Sequence, residues 1–205
     1  MAKYFYGTPR SLGSELMNDL FRYRHQVFVE GLGWRLDKAH HGLEEDEFDR
    51  SDTVYIGARD QQGEICAHAR LLPTHRPYLL GNVFPGLMVS PPRSSQIWVI
   101  SRFSVSRPRR QEPSEDTQFE LQMSRELLST CLAWGQQRGI DSFVTVSPVG
   151  IGRLIKRMGV IAQRPGPIID YDGHLIYALA IDVDENNLRS LGLEHLLTAE
   201  SLDAA

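Results

Sequence analysis

Apolar and polar residues follow two rhythms along this chain. Period-two alternation marks strands at "KYFYG" (3–7), "DTVYIGARD" (52–60), "EICAHARLLP" (64–73), "QIWVISRFSVS" (96–106), "DSFVTVS" (141–147), "PIIDY" (167–171) and "HLIYALAIDV" (174–183). The turn residues Gln61-Gln62-Gly63 and Asp172-Gly173 make hairpins of the second with the third and the sixth with the seventh. In the fourth strand, Ile97, Val99, Ser101 and Phe103 fall on one face, and Trp98, Ile100 and Arg102 on the other. Helical spacing runs through "GSELMNDLFRYRHQVFVEGLGW" (13–34), where Ser14 is placed to cap, and through 118–136, with Phe119, Leu127, Cys131 and Trp134. "RPYLLGNVF" and "GRLIKRMG" read as short helices, the second ending at Gly159.

Strands alternate with helices, which predicts an α/β fold: a three-layer αβα sandwich with a mixed central sheet and helices on both faces. At 205 residues, the chain reads as a single domain over 1–205. The polar "SRPRRQEPSEDTQ" reads as a mobile loop, and 195–205 as a frayed tail.

Composition narrows the function. A net charge of −4 argues against nucleic acid as the main partner. Cys66 and Cys131 are far apart in apolar contexts and read as reduced core thiols. With neither a signal-peptide pattern nor a membrane-spanning apolar run, the expected location is cytoplasmic, with no membrane partner.

The acidic stretch "GLEEDEFDR" is the first candidate site. A charge run is usually solvated, but Phe48 sits within this one, so the segment is expected to fold back on the core. Leu16, Leu20, Arg24 and Phe28 share one helical face, which puts Arg24 inside an apolar stripe. Arg24 therefore either snorkels to water or is buried against a carboxylate. Arg70 and Arg102 stand in equally apolar strands and need anionic partners. Asp46 and Asp49, three apart, point the same way if they sit on a helical turn. Carboxylates meeting buried arginines would form a polarised pocket suited to a zwitterionic or cationic small molecule. Phe28 and Trp34, beside it, offer aromatic faces for a cation such as a sulfonium.

Residues 150–167 hold Arg153, Lys156, Arg157 and Arg164 and no acid, with Arg107, Arg109 and Arg110 in addition. This basic run reads as solvated surface or as a dock for an acidic protein or a phosphate-bearing carrier. His40-His41 are adjacent and lack chelating spacing, so no metal site is expected. "GIG" is too short for a dinucleotide fingerprint, and no G-x-S-x-G elbow occurs.

One set of residues goes further. Arg24-x-x-x-Phe28, Leu32-Gly33-Trp34, Glu44-x-Asp46-x-Phe48-Asp49, Ala69-Arg70-Leu71-Leu72-Pro73-Thr74, Pro77-Tyr78-x-Leu80, Phe84 and Trp98-x-x-Ser101-Arg102-Phe103 occur in order over 21–105. With them the chain resembles the LuxI-type acyl-homoserine-lactone synthases; the second half matches more loosely around "FVTVSPVGIGRLIKRMG". The resemblance implies a fold related to the GCN5-type N-acetyltransferases. It implies acyl transfer from acyl carrier protein, or from coenzyme A, to the amine of S-adenosylmethionine, followed by lactonisation and loss of methylthioadenosine. S-adenosylmethionine would be a substrate, and no cofactor is expected. By the same resemblance Arg24, Asp46, Asp49, Arg70, Ser101 and Arg102 form the catalytic set. Phe28, Trp34, Asp46, Phe103 and Thr145 line the S-adenosylmethionine pocket, Ser147 meets the acyl chain, and Arg153, Lys156 and Arg157 receive the carrier.

One position departs. The family pattern Trp-Glu-x-Ser-Arg reads Trp98-Val99-Ile100-Ser101-Arg102 here, and valine takes no proton. A lost general base costs about 10²–10⁴-fold. A free α-amine has a pKa of about 7.7–8.0, so water, a backbone carbonyl, Glu44 or Glu45 are alternative proton acceptors. Two other functions stay open: a generic N-acyltransferase using acyl-coenzyme A, and a binding protein for S-adenosylmethionine or acyl carrier with weakened chemistry. An R/Q-x-x-G-x-G loop would mark the first, and none follows "ISRFSVS".

Overall fold

The computed structural model describes residues 2–34, 36, 41–106 and 116–199. Seven strands form one sheet: β1 (Lys3–Gly7), β2 (Val54–Arg59), β3 (Ile65–Pro73), β4 (Ile97–Val105), β5 (Ser142–Pro148), β6 (Ile169–Tyr171) and β7 (His174–Asp182). Their order is β1-β2-β3-β4-β5-β7-β6. The sheet is mixed: β4 and β5 run parallel, while the β1–β2, β2–β3, β5–β7 and β6–β7 pairs are antiparallel. Helices α1 (Pro9–Arg24), α2 (Leu79–Asn82), α3 (Asp116–Gln136), α4 (Gly150–Arg157), α5 (Glu185–Ser190) and α6 (His195–Ala199) flank it. This is the mixed α/β architecture that the alternation of rhythms predicts. The chain divides into two compact units, Met1–Leu72 with Arg102–Leu127, and Pro73–Ser101 with Leu128–Ala205.

Both hairpin turns are where their residues place them. Gly63 takes φ 88°, and Asp172 and Gly173 take 51° and 78°, the left-handed pair of a tight two-residue turn. In the first unit Met17, Leu20, Phe21 and Tyr55 pack together with Phe5, Leu12, Leu43 and Ile65. Each large apolar side chain buried there contributes about 1.5–3 kcal/mol. Gly57 makes this packing possible: a Cβ at that position would lie 2.5 Å from the Phe5 ring.

Two expectations are corrected. The first helix opens at Pro9 rather than at Ser14, with Ser11 Oγ accepting from Thr8 N at 2.9 Å, and it breaks at Gly13 (φ 80°, ψ 161°). Pro9 favours that early start because its fixed φ suits a first helical position. The α-helix then ends at Arg24 and widens into a π-helical segment, His25–Gly31. Residues 195–199 form α6, with Leu196 and Leu197 half-buried and Leu196 N bonded to Leu193 O at 3.0 Å. Of the expected loop at 106–118, residues 107–115, with Arg107, Arg109 and Arg110, lie outside the described residues, as do 200–205, and α3 already opens at Asp116.

Candidate active site

The acidic stretch folds back through its own carboxylates. Asp46 Oδ1 accepts from Phe48 N at 2.8 Å, and Asp49 Oδ2 accepts from Asp46 N at 2.8 Å. A backbone bond from Asp49 N to Asp46 O (3.1 Å) closes the turn, and Phe48 is buried. Asp46 and Asp49 thus point the same way, as their spacing suggests.

Three arginines from three elements meet this turn. Arg24, on the last turn of α1, grips Asp49 with both terminal nitrogens (2.7 and 2.9 Å), and its Nε donates to Glu44 Oε2 at 2.5 Å. Arg70 on β3 forks onto Asp46 (2.6 and 3.0 Å) and lies 3.0 Å from Asp49 Oδ1. Arg102 on β4 binds Glu44 through Nε (3.1 Å) and Nη2 (2.9 Å), and reaches Asp46 Oδ2 at 2.9 Å. Tyr55 Oη donates to Asp49 Oδ1 at 2.8 Å. Arg24 does not snorkel; it is fully buried against two carboxylates.

Three guanidiniums therefore meet three carboxylates with almost no water. The side chains of Glu44 and Asp49 are each 1% exposed, and Asp46, at 15%, is the most open of the three. Burial alone would raise the Asp49 carboxyl, but Arg70 and Arg24 overcome it and hold the group far below the usual carboxylate range. Glu44 behaves alike: burial raises it, and bonds from Arg102 and Arg24 bring it down to about 2. Both are fixed anions and poor bases near neutral pH.

The π-helical segment sets the aromatic wall. Its wider turn, with Leu32 N bonded to Val27 O (3.0 Å), and Gly33 at φ 69° reverse the chain so that Trp34 N reaches Phe28 O at 2.9 Å. The rings stack with centroids 4.8 Å apart. The cation over them is Arg102, 5.4 Å from Phe28 and 5.5 Å from Trp34. Arg102 takes φ 53°, left-handed backbone that is rare for a side-chain-bearing residue, so the face alternation read for β4 breaks there.

His68, two residues before Arg70 on β3, was not legible as part of this region. It is fully buried, 6.0 Å from the Tyr55 ring and 15° from parallel to it, with Nδ1 against Ile56 O at 3.1 Å. Nε2 has no hydrogen-bond partner among the described residues. Burial and the nearby Arg24 push its pKa down to about 3, so the ring is neutral.

The family model described as "Autoinducer synthase" matches residues 10–191. The chain belongs to the autoinducer synthase family. A synthase of Ralstonia solanacearum named acyl-homoserine-lactone synthase is 41% identical over 177 residues, 85% of each chain. The crystal structure of TofI in a ternary complex with an inhibitor and MTA is 36% identical, with a TM-score of 0.82, and covers 95% of this chain and 99% of that one. A putative N-acetyltransferase from Lactobacillus plantarum shares the fold alone, with 17% identity, a TM-score of 0.60 and coverage of 89% and 99%. Family membership makes the chain an acyltransferase, an acyl-homoserine-lactone synthase.

The remaining residues of this synthase separate by unit. Arg24, Phe28, Trp34, Asp46, Asp49, Arg70 and Arg102 come together in the first unit, where Phe103 is half-buried on β4. In the second, Ser101 is buried near the middle of β4, and Thr145 and Ser147 lie on one face of β5 with their hydroxyls 3.5 Å apart. Val99 is buried and pairs with Val144 of β5. Arg153, Lys156 and Arg157 are all exposed on α4, at i, i+3 and i+4. Glu44, read from the sequence only as a motif residue and alternative proton acceptor, and Tyr55, not expected at all, complete the ion cluster. The Glu-x-Asp spacing pointed at Glu44, whereas nothing local pointed at Tyr55. His40 lies outside the described residues, and no metal-binding group of His, Cys, Asp or Glu occurs among those described. No helix among the described residues is long and apolar enough to cross a membrane.

Proposed function

We propose that this synthase holds S-adenosylmethionine beside the acid–arginine cluster and acylates its α-amine from a fatty acyl thioester on acyl carrier protein. The amine nitrogen attacks the thioester carbon. The C–N bond forms, the C–S bond breaks, and the thiol leaves with the proton. The methionyl carboxylate then attacks its own γ-carbon and expels methylthioadenosine, leaving the acyl-homoserine lactone. S-adenosylmethionine is consumed as a substrate, and the reaction calls for no cofactor. The observation that carries this reading is the closed set of three arginines and three carboxylates ending at the Phe28–Trp34 wall. TofI, which crystallises with MTA, supports the same substrate.

The cluster's work is positioning. Its charges are satisfied internally, so Glu44 and Asp49 fix the arginines, while Asp46, the more open acid, and the Phe28–Trp34 wall face the methionyl sulfonium and ammonium. Lactonisation is intramolecular, so folding the methionyl chain into attack geometry supplies much of the rate. The family resemblance assigns Phe103 and Thr145 to S-adenosylmethionine, Ser101 to the catalytic set and Ser147 to the acyl chain. The exposed basic face of α4 suits an acidic carrier protein.

Val99 supports a second reading, a synthase of reduced turnover. Mass spectrometry of purified protein with S-adenosylmethionine and a panel of acyl donors separates the two. Methylthioadenosine appearing with one lactone supports full catalysis, and bound substrate with neither product supports weakened chemistry.

A further inference from the structure

Two fully buried residues, Tyr55 on β2 and His68 on β3, stand behind the acid–arginine cluster without a part in the reaction above. Both belong to the first unit, as do the arginines and carboxylates they back.

Strand register places them. Tyr55 pairs with Arg70 and Gly57 with His68, so these four positions share one face of the sheet. Gly57 has no side chain to part the rings, and those of Tyr55 and His68 lie 6.0 Å apart and 15° from parallel. The space over Gly57 belongs to Phe5, its partner on β1. Ile56 O can only accept, so His68 Nδ1, 3.1 Å away, carries the proton and donates it. That bond and the stack fix the plane of the imidazole. Tyr23, one residue before Arg24 on α1, closes on the imidazole edge-on, at 6.4 Å and 87°.

The Tyr55 hydroxyl carries this order into the site. Asp49 Oδ1 accepts from Arg24 Nη1 (2.7 Å) and Tyr55 Oη (2.8 Å), with Arg70 Nη1 at 3.0 Å. Asp49 Oδ2 accepts from Arg24 Nη2 (2.9 Å) and Asp46 N (2.8 Å). Among these side-chain donors only Tyr55 is neutral, and it reaches Asp49 from a ring already held in the core. Its bond sets how the Asp49 carboxylate is turned. Through the second oxygen that turn sets the backbone of Asp46, the most open of the three acids.

We propose that His68 and Tyr55 are positioning residues for S-adenosylmethionine: His68 holds the Tyr55 ring, and the Tyr55 hydroxyl sets Asp49 and, through it, Asp46. This rests on the reading that Asp46 faces the sulfonium and ammonium.

Calorimetric titration of the full chain with S-adenosylmethionine tests it, because affinity and number of sites are read separately. Tyr55→Phe keeps the ring and removes the hydroxyl. It should weaken binding roughly tenfold with the number of sites unchanged, in line with losing one hydrogen bond to a charged group. His68→Asn keeps a donor for Ile56 O and removes the ring. It should weaken binding roughly threefold to tenfold, as loss of an aromatic pair does. The double variant should bind no more weakly than Tyr55→Phe, since His68 acts through that hydroxyl. Lost packing alone would lower the number of sites and leave the affinity as in wild type. Circular dichroism verifies folding, and His68→Gln takes the place of His68→Asn if the latter does not fold. Asp46→Asn tells the two readings apart. If it leaves the affinity as in wild type, the reading of the site fails and the positioning role fails with it. If it weakens binding while Tyr55→Phe binds as wild type, or while the losses multiply in the double variant, the positioning role is overturned and the site stands.

Discussion

The acid–arginine cluster and the basic face of α4 look alike in the sequence and are opposites in the structure. The acids of the first (Glu44 to Asp49) and the bases of the second (Arg153 to Arg157) are each a short run dense in charge. In the cluster, Arg24, Arg70 and Arg102 find Glu44, Asp46 and Asp49 within 2.5–3.1 Å, with little or no solvent contact. On α4, Arg153, Lys156 and Arg157 face outward on a helix that carries no acid. Buried charge with its partner supplied is geometry. Exposed charge of one sign is recognition. The two should therefore fail differently.

The largest difference lies in stability. Arg24→Ala leaves two arginines, Arg70 and Arg102, against three carboxylates, and breaking a buried pair from one side costs about 3–5 kcal/mol. Denaturant titration should show that loss, with lactone formation abolished. Arg157→Ala should change stability by under about 0.5 kcal/mol. Equal effects would mean that the cluster is no more a fixed frame than the surface is.

Reversing the comparison shifts the effect to kinetics. Arg153→Glu, Lys156→Glu and Arg157→Glu together should leave the unfolding free energy near wild type. They should raise KM for acyl carrier protein about tenfold to a hundredfold, mostly through slower association. The KM for S-adenosylmethionine should not move. Raising the salt concentration should erase much of the difference in wild type. A salt-independent KM for the carrier would remove α4 from the docking surface.

Acid should unsettle the cluster and spare α4. His68 has its folded pKa depressed from 6.5 to about 3. Its contribution is complete above pH 6.5 and is lost as pH falls towards 3, because the unfolded chain takes up the proton first. One such proton is worth about 1.4 kcal/mol per pH unit. Glu44, depressed from 4.5 to about 2, adds its own loss below pH 4.5. Melting curves of wild type should fall between pH 6.5 and 4.5, and His68→Gln should flatten that range. An unchanged slope in the variant would show that another group governs it.

How much of this was legible follows the range of the interactions. Gly63 and Asp172-Gly173 announce their hairpins locally, and Asp46 and Asp49 share a turn because they are three residues apart. Arg24 in an apolar stripe gave a choice between water and a carboxylate, and only the fold decides it. Its partners Glu44 and Asp49 are 20 and 25 residues away. Tyr55 and His68 carry no local sign of the cluster, because their roles come from the β2–β3 register that pairs Tyr55 with Arg70 and Gly57 with His68. Arg102 could not be placed by alternation, since its left-handed φ breaks the period on which alternation rests. The early helix start was visible in Thr8-Pro9 and lost to the stronger apolar spacing that begins after Gly13.

The smallest effect tests where the proton goes. Val99 occupies the position of the family's glutamate and is buried against β5, so it offers no base. Glu44 and Asp49 are held as fixed anions by their arginines and take no proton near neutral pH. With Glu44 set aside, water, a backbone carbonyl and Glu45 remain as acceptors; for loss to water, the amine's own pKa of about 7.7–8.0 sets the rate. The kcat/KM of wild type should rise about tenfold per pH unit below that value and level off above it. Val99→Glu should help only where the amine is mostly protonated, by up to roughly tenfold near pH 6.5, and by almost nothing above pH 8.5. Val99→Gln measures the cost of a buried polar side chain at that site without adding a base. If the wild-type profile is flat between pH 6 and 8, a protein group takes the proton after all, and the ion cluster is more than a frame.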